Sequence, residues 1–269
     1  MQKSTGNRDD SSGRARSWLT GLGTAYPRNL LTPEWLEQVA DWFHDVKESE
    51  GLQQLLNVVS PKTGIETRAG VCEYGPNGFG TKTDPPTIAE LDNFFRTEGV
   101  KLAVEACKAA LSESGIGVDQ VTHTVGVTCT NQGNPGYDLL VHQQLGLRSD
   151  VDRMLLHGVG CAGGLAILRA ASQAVLAATA RGKPARILGF ACELSTPLLR
   201  RELADAAKSS ARDVSIASVL FSDGAAAFVM TNDLGLEHSK PLLEVLNSAS
   251  ALIPQTLGHM GCYADLHGP

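Results

Sequence analysis

Residues 154–180, MLLHGVGCAGGLAILRAASQAVLAATA, decide the fold. The apolar residues 154–156 predict a strand, the glycines after them predict a tight turn, and residues 161–180 predict a helix. Only four residues of this helix are polar. A helix that is apolar on all sides is normally buried on all sides. We therefore expect layers of structure on both of its faces.

Cys161 lies where this turn becomes the helix. A strand, a sharp turn and a helix together present a nucleophile on an elbow, and the neighbouring glycines leave room for a substrate. The positive end of the helix dipole favours a thiolate there. The residues alone also allow a small buried cysteine beside packing glycines.

Helix signals recur along the chain. Thr32-Pro33 predicts the start of a helix that runs to about His44, with Thr32 as N-cap. Residues 47–59 predict a second helix, broken at Ser60-Pro61. Thr87 and Glu90 have the spacing of a capping box, and they predict a helix that ends near residue 112.

Strand signals alternate with these helices. Residues 17–22 predict a strand that ends in the glycine-rich turn GLGTAYP, and further strands are expected at 122–128, 151–156, 185–191 and 242–247. Residues 216–221 and 225–230 predict a hairpin whose turn is Ser222-Asp223-Gly224. This order predicts an α/β fold with helices layered on a mixed sheet.

Composition narrows the function. The chain of 269 residues is 42% hydrophobic and has a net charge of −6 without a basic run, which argues against nucleic-acid binding. Its six cysteines have no metal-binding spacing. Residues 1–16 are polar and predict a disordered tail rather than a signal peptide. Without a long uninterrupted apolar run, we expect a cytoplasmic protein with free thiols and no membrane span.

Three motifs in order, CTNQGNPGYDLL, GVGCAGGLAILR and FSDGAAAFV, resemble the type III polyketide synthases, the chalcone/stilbene synthase-like family. The stretches TGLGTAYP and KTGIETR are most similar to fungal members. The resemblance covers residues 17–269. It implies a thiolase-like fold, with a mixed, mainly parallel sheet and helices on both faces. It also implies a homodimer that uses acyl-CoA and malonyl-CoA and needs no cofactor or metal.

The resemblance also assigns roles to residues. Cys161 matches the catalytic cysteine, which accepts the starter acyl group and holds the growing chain. Other matched positions contact substrate: Phe221 as a gatekeeper, Thr130, Ser195 and Leu198 as cavity residues, and Lys62 and Arg68 as partners of the CoA phosphates. The expected reaction is decarboxylative condensation of malonyl-CoA with the acyl starter, followed by cyclisation to a pyrone or resorcinol.

The sequence departs from the family in one respect. The motifs that carry the family's histidine and asparagine, which stabilise the enolate, are not found in it. We therefore interpret residues 17–250 as the thiolase-like N-terminal domain and residues 251–269 as the start of a truncated second half. The alternative is a non-catalytic chain that only self-acylates or dimerises. Ketosynthases of fatty-acid initiation share the cysteine elbow, but CTNQGNPG and FSDGAAAF favour the type III family.

Overall fold

The computed structural model describes residues 15–74, 79, 84–212, 214–237, 239–259, 261 and 266–267. The tail predicted at residues 1–16 therefore lies almost wholly outside the described residues. The strands of the described part are β1 (Trp18–Ala25), β2 (Asn29–Leu31), β3 (Arg68–Gly70), β4 (His123–Val127), β5 (Asp152–Leu156), β6 (Arg186–Glu193), β7 (Gly224–Thr231) and β8 (Leu243–Glu244).

Helices alternate with these strands. The α-helices of the described part are α1 (Pro33–Phe43), α2 (Glu50–Gln53), α3 (Ser60–Lys62), α4 (Ile88–Phe94), α5 (Val100–Ser114), α6 (Tyr137–Leu145), α7 (Gly163–Ala180), α8 (Leu199–Lys208), α9 (Ala217–Leu220) and α10 (Asp233–Leu236). Two π-helical segments, Gln54–Val59 and Phe95–Gly99, join α2 to α3 and α4 to α5. Each of these pairs is therefore one continuous helical run.

The helix ends follow the predicted signals in two places and depart from them in one. The Thr32 side chain accepts a hydrogen bond from the Trp35 backbone N–H, and Thr87 and Glu90 form the full capping box. The break predicted at Ser60-Pro61 is wrong. Helical backbone continues through both residues to Lys62, directly after a π-helical segment.

Six strands of the described chain form one sheet in the order β5-β4-β6-β7-β1-β8. The strands β4, β5 and β6 are parallel, whereas β7 is antiparallel to both β6 and β1. Since β1 points the same way as β6, four of the six strands share one direction. The predicted mixed, mainly parallel sheet is confirmed. The short strands β2 and β3 form a separate antiparallel pair.

Helices cover both faces of this sheet, as predicted. On one face, Leu188 and Phe190 of β6 pack with buried residues of α5 and α6. On the other face, Ile187 of the same strand packs with Ile167 and Val175 of α7. Successive side chains of a strand point to opposite faces, so β6 contributes to both cores.

The glycines of GLGTAYP lie in β1 rather than in a turn, so that prediction is wrong. A Cβ atom on Gly21 would lie 2.1 Å from the Ala110 carbonyl oxygen, and one on Gly23 would lie 2.1 Å from that of Ala106. The backbone of α5 therefore rests directly on the backbone of β1. Glycine is required because helix and strand approach too closely for any side chain.

The hairpin predicted around Ser222-Asp223-Gly224 is also wrong. Residues Ala217–Leu220 form the short helix α9, and only the second predicted strand exists, as β7. Both sides of β7 are already paired, with β6 and β1, so no position beside it is left for a strand at 216–221. The Asp223 side chain is buried and accepts hydrogen bonds from two other segments instead of lying in an exposed turn.

Helix α7 is buried on one face only, in contrast to the prediction. Ile167, Ala171 and Val175 pack on the sheet, whereas Leu165 is 75% exposed and Leu176 is 49% exposed. Nothing in the described part of the chain covers that second face. By length and composition alone, the helical segment Gly160–Ala180 is also apolar enough to cross a membrane, a test that core helices of soluble proteins pass as well.

We expect Gly23→Ala to lower the free energy of unfolding by about 2–3 kcal/mol, because its Cβ would overlap the Ala106 carbonyl oxygen. Urea denaturation measures the change. Gly164→Ala is the control, since no atom lies within 4 Å of its added Cβ and alanine favours the helix. Equal denaturation midpoints for the two variants would contradict the close contact between α5 and β1.

Candidate active site

The carboxyl ends of β4, β5 and β6 lie at the same edge of the sheet. These three strands are parallel and directly paired, with β4 in the middle. The segments that follow them carry Cys129 and Thr130 after β4, Cys161 after β5 and Ser195 after β6. Ligands of open α/β sheets bind at this edge, so the topology gathers the predicted site residues from three segments.

Cys161 lies on the 3₁₀ turn Gly160–Ala162, directly before α7, and its side chain is exposed. Gly158 and Gly160 on the approach both have positive φ angles, of 71° and 51°, which glycine adopts without strain. The first residue of α7 lies against the end of β4, because a Cβ on Gly163 would be 2.9 Å from Val127 Cγ2. The predicted elbow is confirmed as a strand, a turn and a helix.

Glu193, the last residue of β6, holds the segment that follows β4. Its carboxylate accepts hydrogen bonds from the backbone N–H groups of Cys129 at 2.9 Å and Thr130 at 3.0 Å. It also accepts from the hydroxyls of Thr128 at 3.1 Å and Thr130 at 2.7 Å. The Thr130 hydroxyl in turn accepts from the Leu194 N–H at 3.0 Å. Thr130 is therefore fixed between the ends of two strands.

The environments of the cysteines differ. Burial raises the pKa of Cys72, Cys107 and Cys192. Cys129 is partly accessible to solvent. Partial burial of its thiol and the nearby Glu193 carboxylate together raise the pKa of this thiol to about 12. The negative charge of a Cys161 thiolate disfavours ionisation of Cys129 further. Among the described residues, exposed cysteines are therefore found at Cys129 and Cys161, and Cys129 is held as a thiol.

Ser195, Phe221 and Arg68 line one cleft. Its other walls are largely apolar and come from the end of β2, the start of α1, the 3₁₀ turn Thr196–Leu198, α8 and α9: Leu31, Thr32, Trp35, Leu36, Thr196, Leu199 and Ala217. Phe221 is 47% exposed, whereas Arg68 is only 5% exposed. The predicted CoA contact of Arg68 is disfavoured by this burial, because its guanidinium donates to the Val219 carbonyl instead of facing solvent.

The remaining predicted residues are not among those that line this cleft. Thr130 borders a second cleft, between α4 and residues 130–133. Leu198 is half-buried at the end of the 3₁₀ turn Thr196–Leu198, and Lys62 is exposed at the end of α3. In the part of the chain that the structure describes, no group of three or more His, Cys, Asp or Glu side chains is arranged to hold a metal.

Two carboxylates of this region, Glu193 and Asp223, were not predicted. Glu193 lies two residues before Ser195, and Asp223 lies two residues after Phe221. Neither carboxylate belongs to a motif of acid–base catalysis. Their signal in the sequence is weak: Glu193 lies two residues after the strand predicted at 185–191, and Asp223 lies in SDG, which is equally typical of a turn. Only the fold brings their oxygens to the backbone N–H groups of other segments.

Residues 3–234 match the family model of the N-terminal domain of chalcone and stilbene synthases. The chain belongs to this family. The match includes the cysteine elbow, both clefts and both carboxylates. It confirms the predicted relationship to type III polyketide synthases.

Individual members of the family support this. The chain is 54% identical over 254 residues to the type III polyketide synthase pspB of Penicillium soppii, covering 93% of this chain and 63% of that protein. It is 36% identical to the acylalkylpyrone synthase csyB of Aspergillus oryzae, covering 85% of this chain and 57% of that protein. The chain thus spans less than two thirds of these curated relatives.

Solved structures of the family share the fold. The type III pentaketide synthase of Neurospora crassa matches 94% of this chain and 65% of its own, with a TM-score of 0.86 and 38% identity. CsyB, solved in complex with CoA-SH, matches 94% of this chain and 66% of its own, with a TM-score of 0.88 and 32% identity. The predicted thiolase-like architecture is confirmed by these similarities.

We expect iodoacetamide to label Cys161 faster than any other described cysteine at neutral pH, because three of the others are buried and Cys129 is held as a thiol. Peptide mass spectrometry after short exposures measures the order. A Cys161→Ser variant is the control, since it should remove the fast phase and leave the slow ones. Labelling of Cys129 at the same rate as Cys161 would contradict this assignment.

In a Glu193→Gln variant, Cys129 should be labelled severalfold faster at moderately alkaline pH. Removing the negative charge lowers the pKa of Cys129 from about 12 towards its ordinary value, which increases the thiolate fraction at a given pH. The labelling rate is measured across a pH series in the Cys161→Ser background. Glu105→Gln, on the exposed surface of α5, is the matched control and should change nothing. Identical pH profiles for all three proteins would show that Glu193 does not act on Cys129.

Proposed function

We propose that this protein is an acyltransferase of the type III polyketide synthase kind, which loads an acyl group from acyl-CoA onto Cys161 and extends it with malonyl-CoA. The observation that carries this proposal is the exposed Cys161 on a turn between β5 and α7, in a chain of the chalcone and stilbene synthase family. The 54% identity to a type III polyketide synthase supports it further.

In the loading step, the Cys161 thiolate attacks the thioester carbonyl of acyl-CoA. The new carbon–sulfur bond to Cys161 forms, the bond to the CoA sulfur breaks, and CoA leaves as a thiolate that takes up a proton. A thiolate suits this exchange because it is both a good nucleophile and a good leaving group. The product is an acyl thioester on Cys161.

In the extension step, malonyl-CoA loses CO₂ and the resulting enolate carbon attacks the acyl carbonyl on Cys161. A carbon–carbon bond forms and the Cys161 thiolate is released, ready to accept the lengthened chain. Repeated extension and cyclisation give a pyrone or a resorcinol. Similarity to an acylalkylpyrone synthase and to a pentaketide synthase supports these product classes.

The proposal also covers the substrate contacts and the state of the protein. Phe221 and Ser195 line one side of the path to the nucleophile, Thr130 and Leu198 contribute to the cavity, and Lys62 contacts a CoA phosphate. CsyB has been solved with CoA-SH, which supports a CoA substrate here. We further propose a cytoplasmic homodimer.

Incubation with a long-chain acyl-CoA tests the loading step. We expect the intact mass of the protein to increase by one acyl group, located on Cys161 by peptide mapping, and we expect Cys161→Ala to abolish the adduct. Cys129→Ala is the matched control and should keep it, because Cys129 is held as a thiol. Absence of an adduct on Cys161 would contradict the proposed function.

Addition of malonyl-CoA to the same mixture tests extension. Release of pyrone or resorcinol products, followed by mass spectrometry, would support the complete reaction. An acyl adduct without a polyketide product would instead favour the alternative from the sequence, a chain that self-acylates but does not extend. The two steps are measured separately, so each has its own outcome.

A further inference from the structure

The backbone on either side of Phe221 is hydrogen-bonded to residues of β3. Two residues before it, the Val219 carbonyl accepts a hydrogen bond from the Arg68 guanidinium. Two residues after it, the Asp223 backbone N–H donates to the Ala69 carbonyl at 2.8 Å. The half-exposed ring of Phe221 thus projects from a short segment that one strand holds at both ends.

The Asp223 carboxylate extends this attachment to the segment after β6. It accepts hydrogen bonds from the backbone N–H groups of Val71 at 2.8 Å, Ser195 at 2.6 Å and Thr196 at 2.8 Å. The Thr196 hydroxyl donates to it as well. One side chain, directly before β7, therefore connects the residue after β3 with the 195–196 segment.

This carboxylate is 1% exposed, and its burial must be compensated. Burial raises the pKa of Asp223, while the hydrogen bonds from Thr196, Val71 and Ser195 act in the opposite direction. Every one of these partners donates a hydrogen. Replacing the acid by its amide leaves at least one buried N–H facing another N–H, which costs the full desolvation of that group.

Arg68 is buried to a similar degree and lines the cleft that contains Ser195 and Phe221. The cleft walls next to Phe221 are largely apolar. The Phe221 ring is one wall of this cleft, and the backbone on either side of it is hydrogen-bonded through Arg68 and Asp223.

We propose that Arg68 and Asp223 are positioning residues that fix Phe221 beside Ser195 and thereby determine which acyl groups the site accepts. This inference rests on the proposed function of the site. It gives Arg68 a role different from the CoA contact that the sequence predicts. Neither side chain touches the reacting atoms; both act through Phe221.

The test compares Arg68→Lys and Asp223→Asn with the unmodified protein. Each is offered a short and a long acyl group, once as the CoA thioester and once as the N-acetylcysteamine thioester, which has no nucleotide and no phosphates. The rate of adduct formation on Cys161 is measured by mass spectrometry. We expect the ratio of long-chain to short-chain rates to change by about tenfold in both variants, with both kinds of thioester.

Matched controls separate this role from other ones. Lys62→Ala should slow the CoA thioesters only, because Lys62 is the exposed candidate for a phosphate contact. Phe221→Ala alone should change the ratio of long-chain to short-chain rates. Combined with Asp223→Asn, it should cause no further change in that ratio beyond that of Asp223→Asn alone. If Arg68→Lys slows the CoA thioesters and leaves the N-acetylcysteamine thioesters unchanged, Arg68 acts on CoA and the proposal is wrong.

A second measurement does not depend on activity. Hydrogen–deuterium exchange of residues 219–224 should accelerate in both variants, while the rate of iodoacetamide labelling of Cys161 stays the same and shows that the elbow is intact. Unchanged exchange in this segment would overturn the proposal. If the unmodified protein forms no adduct with any thioester, the proposed function fails, and exchange still decides whether Arg68 and Asp223 hold the Phe221 segment.

Discussion

The parallel pairing of β5, β4 and β6 is the constraint on which the site depends. Parallel strands end at the same edge of a sheet, so three segments that together span more than 60 residues in sequence reach one region, each joined to the next by a helical crossover. Cys161, Thr130 and Ser195 each follow one of these strands. Strands β7 and β1 widen the sheet beyond β6 and supply the surface on which α5 packs.

Two carboxylates fix the segments that this pairing brings together. Glu193 bonds the residues after β4, and Asp223 bonds those after β6. Both carboxylates accept hydrogen bonds from backbone N–H groups that have no partner in a strand or helix. Such N–H groups need a hydrogen-bond partner when a loop is packed against the rest of the protein. The charge that makes each one a strong acceptor also acts on its surroundings, as the raised pKa of Cys129 beside Glu193 illustrates.

Much of this fold could be predicted from local signals. The capping residues Thr32 and Thr87, the strand at 122–128 and the cysteine elbow follow from short patterns whose physical cause is local. The errors come from distant contacts. Gly21 and Gly23 are typical of a turn until α5 is known to lie on them, and Asp223-Gly224 is typical of a hairpin until β1 and β6 are known to flank β7. The sequence predicts the same phosphate contact for Arg68 and Lys62, but the fold buries Arg68 and exposes Lys62.

The contact between α5 and β1 has a consequence for natural variation. Because Gly21 and Gly23 face helix backbone, which cannot move aside as a side chain can, every single-nucleotide missense change at these codons introduces atoms where none fit. In a saturation mutagenesis screen scored by protein abundance, both positions should therefore be intolerant of substitution, although neither belongs to the candidate site. Substitutions of Cys161, which is exposed, should leave the abundance in the same screen unchanged. Homologues that keep both glycines would then keep them because helix and strand pack backbone against backbone.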